Sequence, residues 1–182
     1  MLFKLLSVCL SYPEEALSAA APELAEAAAG LQPPHLGKRL AEFLAYLETE
    51  PLLSQQARYT ALFDMRPEAS LNLTDHLLGN REERGRALAG LLALYRRSGF
   101  EPAVNELPDY LPLMLEFLSV APEAAQDPQV AWCLSAVPLL LGRLTESPSI
   151  YAVPLEILKE MLPDAGAVPA PPDDPDRTPA AV

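Results

Sequence analysis

Leu36-Gly37-Lys38-Arg39-Leu40-Ala41-Glu42-Phe43-Leu44-Ala45-Tyr46-Leu47-Glu48 places Leu36, Leu40, Phe43, Leu44 and Leu47 at three- and four-residue intervals. That spacing puts all five on one stripe of an α-helix, the signature of a helix that buries one face. The same period recurs on both sides of it. Upstream, helices are expected over Leu2 to Ser11, ending before Pro13, and over Pro13 to Ala29, ended by Gly30 with Pro33 and Pro34. Downstream, Pro51 at a first helical position starts a helix carrying Leu52, Gln55, Tyr59, Leu62 and Phe63 towards Asp64. Arg66 to Asn80 is irregular, with two helical turns expected over Leu71 to Leu78. Arg81 to Arg97 is helical with Leu88, Leu91, Leu92 and Tyr95 inward, and Gly99 is its stop.

After a break at Pro102 to Pro108, a helix is expected over Asp109 to Val120. With Asp109 as N-cap, Pro112 falls in the first turn, where its missing N–H has no intrahelical partner to lose. Asp127 or Pro128 starts another helix to about Thr145, and Ser149 to Leu162 forms the last. The expected fold class is therefore all-α, a single-domain helical bundle over residues 1–162. Residues 163–182 hold six Pro and four Asp among twenty positions with no aromatic, the composition of a disordered tail.

Composition narrows the function. The chain has 182 residues, 50% of them hydrophobic, enough for one compact core. Ala and Leu dominate the apolar half, which favours helix because unbranched side chains lose little rotamer freedom there. A formal net charge of −12 opposes nucleic acid and anionic membrane surfaces. It suits a basic peptide partner, and it equally serves plain solubility. Met1 to Leu10 has one Lys4, a short apolar run and no following cleavage site, so it reads as a first helix rather than a secretory signal. The densest apolar run, Val137 to Leu141, is closed by Gly142 and Arg143, far short of the roughly 18 residues of a membrane span. A soluble, cytoplasmic protein without membrane insertion is expected. Cys9 and Cys133 stand apart in apolar surroundings and are expected to be buried, reduced thiols. With only His35 and His76 beside them, no metal-ligand spacing is present.

Catalytic patterns are missing from the sequence: no Gly-rich phosphate loop, nucleophile elbow or two-histidine metal helix occurs. His76 is a candidate base without a nameable nucleophile or orienting partner, or a histidine that satisfies backbone groups. Glu106, Asp109 and Glu116 suggest a carboxylate pair. Asp109 and Glu116, seven residues apart, would sit about 10 Å from each other on a continuous helix, a spacing better suited to anchoring a cation than to joint acid–base work. Asp109 is also read as a helix cap, and Glu116 as a solvated position. Leu107, Leu111, Met114, Leu115 and Leu118 form a core stripe or, in the alternative, a groove to which Met114 would lend an adaptable thioether. No catalytic residue, metal or cofactor is assigned.

Several segments together have a recognisable order: Leu10-Ser11-Tyr12-Pro13; Tyr59-Thr60-Ala61-Leu62-Phe63-Asp64; Ala69-Ser70-Leu71-Asn72-Leu73-Thr74-Asp75-His76-Leu77; Gly79 with Arg84-Gly85-Arg86-Ala87; Leu94-Tyr95; and Asn105-Glu106-Leu107-Pro108-Asp109-Tyr110-Leu111-Pro112-Leu113 with Leu115-Glu116-Phe117. In that order they resemble the respiratory nitrate reductase assembly chaperones of the NarJ type, within the TorD-like redox-enzyme maturation chaperones. The resemblance spans about Leu2 to Leu162. Tyr110 stands where a histidine is more usual after the Pro-Asp pair, and Leu78 where another is frequent before Gly79, so no imidazole role carries over there.

The resemblance implies a TorD-like helical bundle that is not an enzyme. It implies binding of the N-terminal, twin-arginine-like peptide of the apo catalytic subunit of a nitrate reductase, molybdenum cofactor insertion, and then membrane docking. A weak homodimer is a further expectation. Other molybdopterin oxidoreductases, of the dimethyl sulfoxide or selenate reductase type, remain alternative clients, and a small helical enzyme or ligand carrier is the alternative class. The client-binding surface is expected around Tyr59, Asp64, His76, Glu106, Asp109, Tyr110, Met114 and Glu116, apolar groups holding the hydrophobic part of the peptide and carboxylates its basic part.

Overall fold

The computed structural model describes residues 1–79, 81–102, 106–144 and 149–162. The helices among them are α1 (Leu2–Leu10), α2 (Glu15–Ala29), α3 (Pro34–Thr49), α4 (Leu52–Tyr59), α5 (Arg81–Arg97), α6 (Leu111–Val120), α7 (Pro128–Leu134), α8 (Val137–Leu144) and α9 (Ala152–Met161). No strand occurs among the described residues, and the fold is all-α as expected. Positions 80, 103–105 and 145–148 and the expected tail at 163–182 lie outside the described residues.

The stripe on α3 is the spine of the core: Leu36, Leu40, Phe43, Leu44 and Leu47 are all buried. α2 folds back on α3 at close range, with buried Gly37 of α3 seated against the Ala28 carbonyl. α1 lies on α6, where the Ser7 hydroxyl donates to the Pro112 carbonyl at 2.8 Å. α9 packs against α1, α3 and α8 and brings in Tyr151. The Tyr151 ring meets those of Phe43, Tyr59 and Phe63 edge to face at 5.3–5.6 Å, within the favoured range for aromatic pairs. The outer face of α9 is tied to α3 by Arg39 on Glu156 and Glu160, and His35 on Glu160. Each such exposed pair contributes about 0.2–1 kcal/mol at most.

The Leu111, Met114, Leu115 and Leu118 stripe is core, all four being fully buried, whereas Leu107 is exposed. Gly99, at φ +73°, ends α5 in the left-handed conformation that glycine adopts without strain. On α5 it is Leu94, with Leu91 and Tyr95, that is buried, while the expected Leu88 and Leu92 are only half-buried.

Three local expectations are corrected. The segment from Asp127 is two helices, not one: Asp127 caps α7 by accepting from Gln129 N–H at 2.9 Å, and the chain turns at Ser135–Ala136 before α8. Pro138 explains the break, because it cannot donate back to the Leu134 carbonyl and so falls in the first turn of a new helix. Leu71 to Leu78 forms a single tight turn, Leu73–His76, rather than two helical turns. Asp109 does not cap α6. Tyr110 holds the N-cap position with no side-chain capping bond, and the Asp109 carboxylate is turned inward to Thr74. Pro112 does sit in the first turn of α6.

Candidate functional site

Four stretches of chain converge on a cavity of about 370 Å³. Tyr12 comes from just beyond α1, and Tyr59, Phe63 and Asp64 from the end of α4. Ser70, Leu71 and Asn72 come from the following connection, and Glu106, Leu107 and Tyr110 from the approach to α6. The end of α4 widens over Thr60–Asp64, where Met65 N–H reaches back five residues to the Thr60 carbonyl at 3.0 Å. Such a widened turn carries an extra residue and re-aims the chain beyond it, a device frequent at functional sites. Here Phe63 stays in the core and Asp64 is exposed at the cavity.

The opposite walls are stitched by backbone. Leu73 N–H donates to the Asp109 carbonyl at 3.0 Å and Leu111 N–H to the Leu71 carbonyl at 2.9 Å, pairing Asn72 with Tyr110 in an isolated antiparallel bridge. Tyr59 hydroxyl donates to the Leu10 carbonyl at 3.0 Å. Its proton so committed, it accepts from the Tyr110 hydroxyl at 2.9 Å. Burial above all, with Tyr110 and then Asp64 adding, pushes the Tyr59 phenol far above its usual range. Burial also raises Tyr110, and Glu106 and Asp64 reinforce it. Both phenols stay neutral, so the formally charged side chains among the described lining residues are Asp64 and Glu106. Two carboxylates beside aromatic rings, with Tyr12 edge-on to Tyr59 at 5.4 Å, suit a cation that also carries apolar surface.

A family model described as "Nitrate reductase delta subunit" matches residues 14–147. The chain belongs to this family. Nitrate reductase molybdenum cofactor assembly chaperone NarJ of Escherichia coli is 35% identical over 159 residues, covering 86% of this chain and 67% of its own. A Bacillus subtilis protein named "Probable nitrate reductase molybdenum cofactor assembly chaperone NarJ" is 35% identical over 167 residues, covering 90% and 89%. Nitrate reductase-like protein NarX of Mycobacterium tuberculosis is 31% identical over 146 residues, 80% of this chain and 22% of that longer one.

Of the residues expected at the site of this delta-subunit family member, Tyr59, Asp64, Glu106 and Tyr110 meet at the cavity. The other four do not line it. His76 lies behind the wall, its Nε2 bonded to the Ser70 carbonyl at 2.7 Å, the backbone-satisfying role that was its alternative. Asp109 is fully buried beneath the wall. Met114 is fully buried in the core and presents nothing at the surface. Glu116 pairs instead with Lys4 of α1 at 2.5 Å. Tyr12, Phe63, Ser70, Leu71 and Asn72 line the cavity without being evident as site residues from the sequence, and Leu107, which also lines it, was named there only in the groove alternative; every one falls inside a segment that carries the family resemblance. Tyr12 and Leu107 had one further signal, each being a large apolar side chain beside a helix-breaking proline.

Both cysteines are free and buried. Burial pushes the Cys9 thiol up to about 12 and raises Cys133 as well, with Asp109 adding to the latter. Among the described residues no three His, Cys, Asp or Glu side chains gather as a metal-ligand group, and no helix is long and apolar enough to cross a membrane.

Proposed function

We propose that this protein is an assembly chaperone for a respiratory nitrate reductase, acting in the cytoplasm and catalysing no reaction of its own. It binds the N-terminal region of the apo catalytic subunit and promotes molybdenum cofactor insertion before membrane docking. Family membership and the names of the relatives support the chaperone role and the nitrate reductase client. The observation that carries the site is the cavity where Asp64 and Glu106 stand beside Tyr12, Tyr59 and Tyr110. A peptide with basic residues next to an apolar stretch finds there both a charge complement and ring faces to pack on.

Exposed charge pairs contribute about 0.2–1 kcal/mol each, so the carboxylates orient the peptide and make its binding salt-sensitive while apolar contacts supply most of the affinity. Calorimetric titration of a synthetic peptide bearing two arginines beside an apolar run tests this at low and high salt. Asp64→Asn with Glu106→Gln weakens binding several-fold at low salt and less at high salt, whereas Glu116→Gln, which only frees Lys4, leaves affinity unchanged. Equal affinity of the double variant and the wild type at low salt removes the cavity from the binding site. Co-purification of the chain with the apo catalytic subunit tests the client itself.

A further inference from the structure

We infer that Arg84, which does not line the cavity, is a positioning residue that sets the cavity's geometry through Asp109; the consequence for peptide affinity rests on the function proposed above. Asp109 is a carboxylate with no exposure to solvent. Its Oδ2 accepts from Thr74 N–H at 3.1 Å and from the Thr74 hydroxyl at 2.5 Å, while its Oδ1 has no hydrogen-bond partner among the described residues. An ionised carboxylate so placed is costly unless a counter-charge stands near. Among the described residues, Arg84 of α5 is the basic side chain within ion-pair distance, its Nη2 3.7 Å from Oδ2.

That distance is too long for a direct hydrogen bond, and Thr74 closes the gap. Arg84 Nε donates to the Thr74 hydroxyl oxygen at 3.0 Å, which leaves the hydroxyl proton to point at Asp109. Arg84 Nη2 is itself held by Asp75 Oδ1 at 3.1 Å, and Asp75 Oδ2 accepts from Ser70, a lining residue, at 3.0 Å. One guanidinium thus fastens both walls: residues 70–75 through Thr74 and Asp75, and residues 106–110 through Asp109, immediately before Tyr110. Tyr95 of the same helix adds a second tie, its hydroxyl donating to the Pro108 carbonyl at 2.7 Å. Without the charge of Arg84, Asp109 is left buried and uncompensated, and the strand-like pairing of Asn72 with Tyr110 is the contact it strains.

The test compares Arg84→Gln, Arg84→Lys, Asp109→Asn and the Arg84→Gln/Asp109→Asn pair. Three quantities are read: tyrosine ring resonances by nuclear magnetic resonance without peptide, the urea midpoint, and calorimetric affinity for the two-arginine peptide. Arg84→Gln is expected to shift the Tyr59 and Tyr110 resonances, leave those of Tyr12 nearer wild type, and weaken the peptide about tenfold, mid-range for coupled neighbours. Arg84→Lys recovers part of each loss. Adding Asp109→Asn to Arg84→Gln raises the midpoint above that of Arg84→Gln alone, because the uncompensated charge is gone, an outcome a purely steric role would not give. Shifted resonances with no peptide binding by any protein, wild type included, support the positioning role and overturn the peptide reading instead. If Arg84→Gln does not fold, a folded double variant with near-wild-type Tyr110 resonances supports the inference and an unfolded one overturns it. Wild-type Tyr110 resonances and affinity in Arg84→Gln also overturn it.

Discussion

Gly37→Ala sets two helix effects against each other. A Cβ built on Gly37 stands 2.2 Å from the Ala28 carbonyl oxygen and 3.1 Å from its carbonyl carbon. Comfortable contact lies near 3.5 Å, so the atoms are short by about 1 Å, and the obstacle is backbone that cannot swing aside. Alanine gains up to about 1 kcal/mol over glycine in a helix interior, and less near the first turn, where Gly37 sits. Forcing a methyl group into a packed contact costs about 1–3 kcal/mol. The steric term wins, for a net loss of about 1–2 kcal/mol, or roughly 2–8 °C in Tm for a chain of this size. The control is Gly85→Ala in α5, where the new Cβ meets nothing within 4 Å among the described residues. It gains the helix propensity without the clash and is expected to be slightly stabilising. Urea unfolding followed by circular dichroism measures both. A Gly37→Ala midpoint at or above wild type would refute the claim that the α2–α3 approach is limited by this contact.

Met114→Ala is expected to lower stability by about 2–5 kcal/mol, the cost of truncating a fully buried side chain, while folded protein at low temperature keeps its peptide affinity; reduced affinity with unchanged stability would return Met114 to the binding surface. Tyr59, Tyr95, Tyr110 and Tyr151 all titrate above their usual value of 10.0 in the folded chain, burial being the leading cause. The unfolded chain therefore releases these protons first as pH rises, so their contribution is fully present below about pH 10 and is lost above it; urea midpoints from pH 8 to 11 check this, and no decline above pH 10 would contradict it. Cys9 and Cys133, buried and held protonated, are expected to resist a chromogenic disulfide reagent in the native protein and to react fully in urea; fast labelling of either in the native state would count against their burial.

The helices were legible because burial writes its period directly into the chain, and the α3 stripe needed no knowledge of its neighbours. What escaped reading was set by partners distant in sequence. A cap is a local device, so Asp109 before Leu111 looked like one, yet Thr74, 35 residues upstream, outcompetes the helix for that carboxylate. Glu116 looked free because Lys4 meets it only once α1 lies on α6. The apolar run across Val137 concealed the Pro138 break, since both helices it separates bury the same kinds of side chain. Of the eight residues expected at the site, Tyr59, Asp64, Glu106 and Tyr110 lie at the cavity. The ring and backbone surfaces between them were not legible, because a lining position has no sequence pattern of its own.

The bridge between Asn72 and Tyr110 joins points 38 residues apart, and Tyr12 reaches the same cavity from near the amino end. Because a polypeptide is made from that end, the ribosome must have released residues beyond Tyr110 before the last wall can close. Helices α1 to α4 can form earlier, but they enclose nothing until then. A half-made chain therefore exposes Tyr59 and Asp64 without the facing Glu106, Leu107 and Tyr110, and holds no site for a ligand to occupy. Occupancy of this cavity thus reports on a chain whose synthesis has passed Tyr110, which separates it from shorter nascent forms.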